Sequence, residues 1–117
     1  MNNDGYIDII LGALGVDVVG GSAGALYVIY GSDTAPTADV DLSTFTPGVS
    51  TGYKITGAAP GDQFSSSLAP VGDVNQDGTD DFIVGAWGNN GQVYIFFGTN
   101  STDAPTANID LATSAQT

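Results

Sequence analysis

Nine residues in the second half of the chain carry oxygen atoms at the spacing of a calcium-binding loop. In the run 73–81, DVNQDGTDD, oxygen side chains fall at relative positions 1, 3, 5 and 9, and a glycine occupies position 6. Hard divalent cations take about six to eight oxygen ligands from a flexible loop, and position 7 can add its main-chain carbonyl. The predicted Ca²⁺ ligands are Asp73, Asn75, Asp77, the backbone of Thr79, and Asp81.

The loop differs from an EF-hand. An EF-hand places a bidentate Glu at position 12 between two helices, whereas position 12 here is Val84. Residues 81–87 are apolar and partly β-branched, which predicts a buried strand directly after the loop. A metal-free turn is the alternative interpretation, because Asp, Asn and Gly favour turns for reasons unrelated to metal.

The charge balance excludes one class of partner. Thirteen acidic residues, all of them Asp, face a single basic residue, Lys54, and the formal charge is −12. Phosphate backbones are bound by Lys and Arg, so we expect no nucleic acid partner.

No apolar run approaches the roughly 18–20 residues of a membrane span, so we expect no direct membrane insertion. Residues 1–5 do not resemble a signal peptide, which would then lie outside this chain.

The composition also disfavours catalysis. Cys, His and Glu are absent, so acid–base and nucleophilic chemistry would depend on Asp, Ser, Thr or Tyr. The chain is therefore predicted not to be an enzyme. Few good helix formers are present while Gly, Thr, Val and Ser are plentiful, which predicts an all-β fold.

Residues 2–13 repeat residues 75–86. Asn2, Asp4, Gly5, Asp8, Gly12 and Ala13 align with Asn75, Asp77, Gly78, Asp81, Gly85 and Ala86. The first copy thus offers Asn2, Asp4, the backbone of Tyr6, and Asp8 as metal ligands. The counterpart of Asp73 would precede Met1, so this loop is predicted to bind calcium weakly or not at all. Because the first ligand position of this loop would lie before Met1, the sequence also predicts that the chain is a fragment.

Further segments recur along the chain. Glycine-rich turns at 14–24 and 88–91 predict two hairpins, and strands are expected at 53–56 and 65–71. Residues 33–42 and 103–111 echo each other and predict a short extended piece at 40–42 or 109–111. A period of about 70 residues with four short strands per unit predicts propeller blades rather than a solenoid.

Together these motifs resemble the FG-GAP repeat of integrin alpha-chain propellers and their bacterial extracellular relatives. The matching segments are residues 55–57, 61–69, 72–78, 80–86 and 93–98. Two positions depart from the pattern: Phe64-Ser65 stands where the family has Phe-Gly, and Gly85-Ala86-Trp87 stands where it has Gly-Ala-Pro. Neither change falls in the calcium loop.

The resemblance implies an incomplete β-propeller of about two blades. Residues 1–57 would form a blade without its first strand, and residues 58–117 a blade without its last. Calcium would be mainly structural, in an extracellular or cell-surface module for adhesion or recognition. Alternatives are a purely structural scaffold, or the accessory propeller of a secreted hydrolase. Expected partners are neighbouring blades or other copies of the chain, with a protein or glycan as ligand. Asn100-Ser101-Thr102 is also a glycosylation sequon.

Overall fold

Short β-branched and aromatic segments form strands separated by Gly- and Asp-rich turns. The computed structural model describes residues 1–17, 21–34, 40–48, 50–100, 102–105 and 107–112. Within these ranges the strands are β1 (Ile9–Ala13), β2 (Ala25–Ile29), β3 (Gly52–Thr56), β4 (Phe64–Gly72), β5 (Asp81–Ala86), β6 (Gln92–Phe96) and β7 (Ile109–Asp110). A 3₁₀ helix covers Leu42–Thr44. The all-β prediction is confirmed, and so are the strands predicted at 53–56, 65–71 and 81–87.

The strands form two sheets of the kind expected for propeller blades. The first sheet has the order β1-β2-β3-β7, and the second has the order β4-β5-β6. All neighbours are antiparallel except β3 and β7, which pair in parallel through Ile55 and Ile109. Strand β7 thus returns from the second predicted repeat to the first sheet, and the division at residue 57 stays a prediction. No helix in the described ranges has the length and apolar character needed to cross a membrane.

The two echoing segments adopt different structures. Residues 109–110 are extended as expected, but residues 40–42 lead into the 3₁₀ helix. The Asp41 carboxylate accepts hydrogen bonds from Ser43 N at 2.9 Å and Ser43 Oγ at 2.6 Å, which favours a turn. Three segments for which predictions were made lie partly outside the described residues. The parts left out are residues 18–20 of the turn at 14–24, residues 35–39 of the connection at 33–42, and residue 101 of the sequon.

The β1–β2 and β5–β6 hairpins pair their strands in the same register. In β1–β2, Ile9 pairs with Ile29 and Gly12 with Leu26, while the equivalent pairs in β5–β6 are Phe82 with Phe96 and Gly85 with Val93. Every paired position of β1 therefore has its counterpart 73 residues later in β5. The internal repeat seen in the sequence is a structural repeat.

The core lies between the sheets. A Cβ on Gly12 would meet Ser65 O at 3.0 Å and Leu68 Cδ2 at 3.1 Å, so this side of β1 faces β4. Successive residues of a strand point to opposite faces, so Ile10 shares that side and packs against the core cluster. The second sheet contributes aromatic rings to this core, among them the buried Phe82, which stacks on the partly buried Phe96 with centroids 5.1 Å apart.

The connection from β3 to β4 forms hydrogen bonds with both hairpins. Gly61 N donates to Gly21 O at 2.6 Å, and Phe64 N donates to Ala23 O at 2.9 Å. The Asp62 carboxylate accepts hydrogen bonds from Ala59 N at 2.9 Å and from the side chain of Asn89, in the β5–β6 turn. These bonds fix the relative position of the two sheets.

Ser65 shows why the departure from Phe-Gly is tolerated. Its φ is 71°, in the left-handed region that favours glycine. The side chain is buried, and its Oγ donates to Ala25 O at 2.7 Å and accepts from Ala13 N at 3.1 Å. The hydroxyl therefore joins the second sheet to the turn end of the β1–β2 hairpin, which offsets the backbone strain.

Substitutions of Ser65 separate the stabilisation by its hydrogen bonds from the cost of its left-handed backbone. Ser65→Ala keeps the strained φ and loses both hydrogen bonds, so we expect a loss of about 2 kcal/mol of unfolding free energy. Ser65→Gly loses the same bonds but relieves about 1–2 kcal/mol of left-handed strain, so its loss should be smaller. Urea unfolding of the three proteins measures the order. An alanine variant as stable as the glycine variant would contradict this account.

Candidate metal centre

The 73–81 loop is a tight turn held by its own side chains. Left-handed φ values of 61° at Gln76 and 88° at Gly78 curl the backbone. The Asp73 carboxylate accepts hydrogen bonds from Asp77 N at 3.0 Å and Gly78 N at 2.7 Å. Asp77 accepts from Asn75 Nδ2 at 2.8 Å and from Thr79 N at 2.9 Å. The predicted ligands at positions 1, 3, 5 and 7 are thus linked by direct hydrogen bonds.

The N-terminal loop has the same construction. Asn3 and Gly5 have left-handed φ values of 54° and 92°. Asp4 accepts hydrogen bonds from Asn2 Nδ2 at 2.8 Å and from Tyr6 N at 2.9 Å. These bonds match, position by position, those that Asp77 accepts from Asn75 and Thr79. The sequence repeat therefore encodes one loop geometry twice.

The acid at position 9 is buried in both loops. Asp81 is fully buried, and its carboxylate accepts hydrogen bonds from Gly98 N at 2.8 Å and Val74 N at 2.9 Å. Asp8 accepts correspondingly from Gly31 N at 2.9 Å, and its second oxygen lies 2.8 Å from the Met1 nitrogen. In both copies this acid ties its loop to the end of the second strand of the hairpin.

Two glycines that sequence reasoning missed make this contact possible. A Cβ on Gly98 would lie 2.4 Å from Asp80 O, and a Cβ on Gly31 would lie 2.3 Å from Ile7 O. The next residue, Thr99, donates to Met1 O at 2.8 Å, so the end of β6 connects both loops. The available signal was a glycine that follows an aromatic residue at the end of the strand in both copies.

Hydrogen bonds stabilise the ionised form of the exposed loop acids. The Asn75 side chain, supported by Thr79, lowers the pKa of Asp77 below its ordinary value. The backbone of Tyr6, supported by Asn2, lowers the pKa of Asp4 in the same way. A carboxyl group whose pKa is lowered in the folded state stabilises the fold when the pH is above its ordinary pKa. This stabilisation is lost as the pH falls through the lowered pKa. Both groups are therefore carboxylates at neutral pH.

A buried tyrosine lies beside the first loop. Tyr30 is the counterpart of Phe97, and its Oη is the one buried side-chain oxygen or nitrogen in the described residues without a hydrogen-bond partner. Burial, together with the charges of Asp8 and Asp4, raises the pKa of Tyr30 to about 12. The neutral phenol therefore favours the fold below pH 10, and this contribution is lost as the pH rises towards 12.

The donor set fits a hard cation. Every predicted ligand atom in both loops is oxygen, which suits Ca²⁺ or Mg²⁺ rather than a softer metal. Within the described residues, however, no three acidic side chains converge as a ready-made metal cluster. The physical reason is that the carboxylate oxygens accept hydrogen bonds from the loop's own amides. The structure thus gathers Asp73, Asn75, Asp77 and Thr79 in one turn and directs Asp81 towards Gly98.

The FG-GAP repeat family matches residues 64–96. The matched segment covers β4, the loop, β5 and β6. It begins at Phe64-Ser65, where the sequence departs from the family pattern, so that departure does not abolish the match. The repeat predicted from the sequence is confirmed for this part of the chain.

Relatives cover most of the chain. Rat phosphatidylinositol-glycan-specific phospholipase D is 37% identical over 107 residues, which cover 84% of this chain and 12% of that protein. Mouse integrin alpha-7 is 33% identical over 101 residues, which cover 86% of the chain and 8% of the integrin. The chain therefore spans only a small part of these relatives. It is an all-β FG-GAP repeat module related to segments of integrin alpha chains and of phosphatidylinositol-glycan-specific phospholipase D.

Proposed function

We propose that the chain is a calcium-binding, non-catalytic β-propeller module of an extracellular or cell-surface protein, serving adhesion or recognition. The observation that carries the calcium proposal is the twofold occurrence of one acidic loop. Asn2 and Asn75, like Asp4 and Asp77, make the same hydrogen bonds in both copies. The same oxygen atoms recur at the same positions in both loops, which supports a common oxygen-binding ligand.

The second loop offers the fuller ligand set. Asp73, Asn75, Asp77, the Thr79 carbonyl and Asp81 would hold the ion, whereas the first loop has only Asn2, Asp4, the Tyr6 carbonyl and Asp8. Bound calcium would supply positive charge among carboxylates that otherwise repel one another. Binding would require Asp73 and Asp77 to exchange amide hydrogen bonds for the ion, and this exchange favours the modest affinity typical of extracellular modules.

Calorimetric titration with CaCl₂ tests this proposal. We expect one dominant site with a dissociation constant of about 10⁻⁴ to 10⁻³ M, lost in Asp77→Ala and retained in Asp4→Ala, the matched change in the first loop. Calcium at one hundred times that constant should stabilise the fold by about 2.7 kcal/mol, so chelator should lower the melting temperature. Two sites of equal strength, or a melting temperature that does not respond to chelator, would contradict the assignment.

A second candidate is an accessory module of a secreted hydrolase. Its support is the similarity to a phospholipase D over most of this chain. Within the chain, the Asp62 carboxylate already accepts hydrogen bonds from Ala59 N and the Asn89 side chain, which disfavours it as a catalytic acid. The complete open reading frame would decide this point: a hydrolase domain on the same polypeptide favours the accessory module.

Adhesion must also be distinguished from a purely structural role. Binding of immobilised host matrix proteins and glycans to the purified chain, with and without calcium, addresses this directly. Specific capture of a matrix protein or glycan supports recognition. Calcium-dependent stability without any capture supports the scaffold alternative.

A further inference from the structure

The β5–β6 turn contains the one asparagine of the sequence that precedes a glycine. Asn90 and Gly91 occupy the last two positions of the turn 88–91, in which Gly91 N donates to Gly88 O at 3.0 Å. Both residues are exposed, and the Asn90 side chain forms no hydrogen bond within the described part of the chain. Glycine has no Cβ that would shield its nitrogen. The backbone nitrogen of Gly91 is thus open to reaction with the side-chain amide of Asn90.

The neighbouring asparagine is held in place, so the turn presents a single free amide. Asn89 Nδ2 donates to Pro60 O at 3.2 Å and to the Asp62 carboxylate. Gly88 N donates to Asp62 O at 3.0 Å. The first half of the turn is therefore tied to the β3–β4 connection, whereas the second half is closed by the hydrogen bond of the exposed Gly91. Exposed hydrogen bonds of this kind open locally without global unfolding.

The two Asp-Gly pairs of the chain, both in the acidic loops, are less open to the same reaction. Gly78 N donates to the Asp73 carboxylate at 2.7 Å, and the Asp77 carboxylate accepts two hydrogen bonds within its loop. The Asp4 carboxylate, which precedes Gly5, is engaged in the same way. A carboxylate is also a poor electrophile, because its negative charge repels the attacking nitrogen. The fold therefore favours reaction at the β5–β6 turn.

We propose that Asn90 is a site of spontaneous deamidation. Gly91 N attacks Asn90 Cγ, its proton passes through water to Nδ2, and the Cγ–Nδ2 bond breaks to release ammonia. Water then opens the five-membered succinimide ring at either carbonyl carbon. One product is aspartate, and the other is isoaspartate, in which the main chain runs through Cγ. The reaction consumes only water, and either product adds one negative charge to a chain with a formal charge of −12.

The isoaspartyl product changes the turn that holds the start of β4. Its main chain is longer by one carbon, so the Gly91–Gly88 hydrogen bond cannot persist with the existing pairing of β5 and β6. Displacement of the turn would stretch the hydrogen bonds of Asn89 to Pro60 and Asp62. The aspartyl product keeps the normal backbone. Isoaspartate should therefore weaken the link between the turn and the β3–β4 connection more than aspartate does.

Incubation of the folded chain at mildly alkaline and mildly acidic pH, followed by peptide mass spectrometry, tests this assignment. We expect two new forms of the peptide that contains Asn90, both with the mass change of an amide converted to an acid. They should form faster at alkaline pH, because the attacking amide loses its proton more readily there. Asn90→Gln should lose the modification, because its longer side chain would have to close a six-membered ring. Asn89→Ala should accelerate it, because the turn is released from Pro60 and Asp62.

Asn89 and Asn100 are internal controls, because both side-chain amides are hydrogen-bonded, Asn100 Nδ2 to Asp103 Oδ2 at 2.7 Å. Both should stay unmodified while Asn90 reacts. An Asn90 that stays intact in the folded chain, or equal modification of Asn90 and Asn100, would overturn the proposal.

Thermal unfolding tests the structural consequence. The aged chain should melt at a lower temperature than the fresh chain, whereas freshly prepared Asn90→Asp should melt close to it. Equal melting temperatures of the aged and fresh chains would show that the turn tolerates isoaspartate and would overturn this part of the proposal. The turn lies at the opposite end of β5 from the 73–81 loop, so calorimetric titration with calcium can fail or succeed independently of this test.

Discussion

Gly24→Ala is expected to lose a large part of the stability of the fold. Gly24 has a φ of 80°, and a Cβ at this position would lie 2.2 Å from Phe64 O and 2.7 Å from Phe64 N. The contacted atoms are backbone, so the clash cannot be relieved by rotating a side chain. Relief would have to displace the start of β4 from the first sheet. The hydrogen bonds from Gly57 N to Gly24 O and from Phe64 N to Ala23 O, both 2.9 Å, would be lost or stretched.

The expected cost combines two effects. A non-glycine residue in the left-handed region costs about 1–2 kcal/mol, and overpacking a well-packed site costs typically about 1–3 kcal/mol. A total of about 2–5 kcal/mol is large against the roughly 5–15 kcal/mol that stabilises a typical domain. Thermal unfolding should therefore shift downwards by about 10 °C or more, or the protein should fail to fold.

Gly15→Ala is the matched control for this substitution. Gly15 has no left-handed φ, and a Cβ there would meet nothing within 4 Å. The melting temperature of this variant should stay close to that of the parent chain. Equal losses in the two variants would show that the junction between the sheets is not the sensitive point.

The local pattern was sufficient to predict most strands and their register. Residues 81–86 form a strand because an apolar, β-branched run directly follows the loop. The recurrence of residues 2–13 at 75–86 predicted equivalent hairpins, and the two ladders pair position by position. These features depend on neighbours in the chain or on the internal repeat, both of which are visible in the sequence.

The parallel pairing of β7 could not be predicted in this way. Residues 109–110 and 40–41 have nearly the same local sequence, yet only the former pair with β3. Leu111 N donates to Thr56 O at 3.1 Å, and Lys54 N donates to Asn108 Oδ1 at 3.0 Å. Both contacts join residues more than fifty positions apart, so the choice between the two segments depends on the tertiary structure.

The role of Asp81 was likewise only partly visible in the sequence. Loop spacing predicts it as one ligand equivalent to Asp77, but the structure distinguishes the two acids. Asp77 is exposed and bonds only within the loop, whereas Asp81 is fully buried and bonds to Gly98, seventeen residues later. Spacing alone does not indicate which carboxylate is buried, because burial depends on where the end of β6 lies.

Asp81→Ala should therefore destabilise the protein even when chelator removes all calcium. The substitution leaves Gly98 N and Val74 N without their acceptor, and Gly98 itself is buried. A buried amide without a partner costs about 1–3 kcal/mol, so we expect a loss of about 3 kcal/mol for the two amides together. Urea unfolding in chelator measures this loss directly.

Two further variants separate this structural role from metal binding. Asp80→Ala removes the neighbouring acid, which is exposed and lies outside the ligand positions, so its unfolding free energy should change by less than about 0.5 kcal/mol. Asp77→Ala should lose the added stability that calcium gives and, in chelator, only the smaller contribution of its hydrogen bonds from Asn75 and Thr79 within the loop. If Asp81→Ala were as stable as Asp77→Ala in chelator, the buried carboxylate would not be the group that holds the loop to β6.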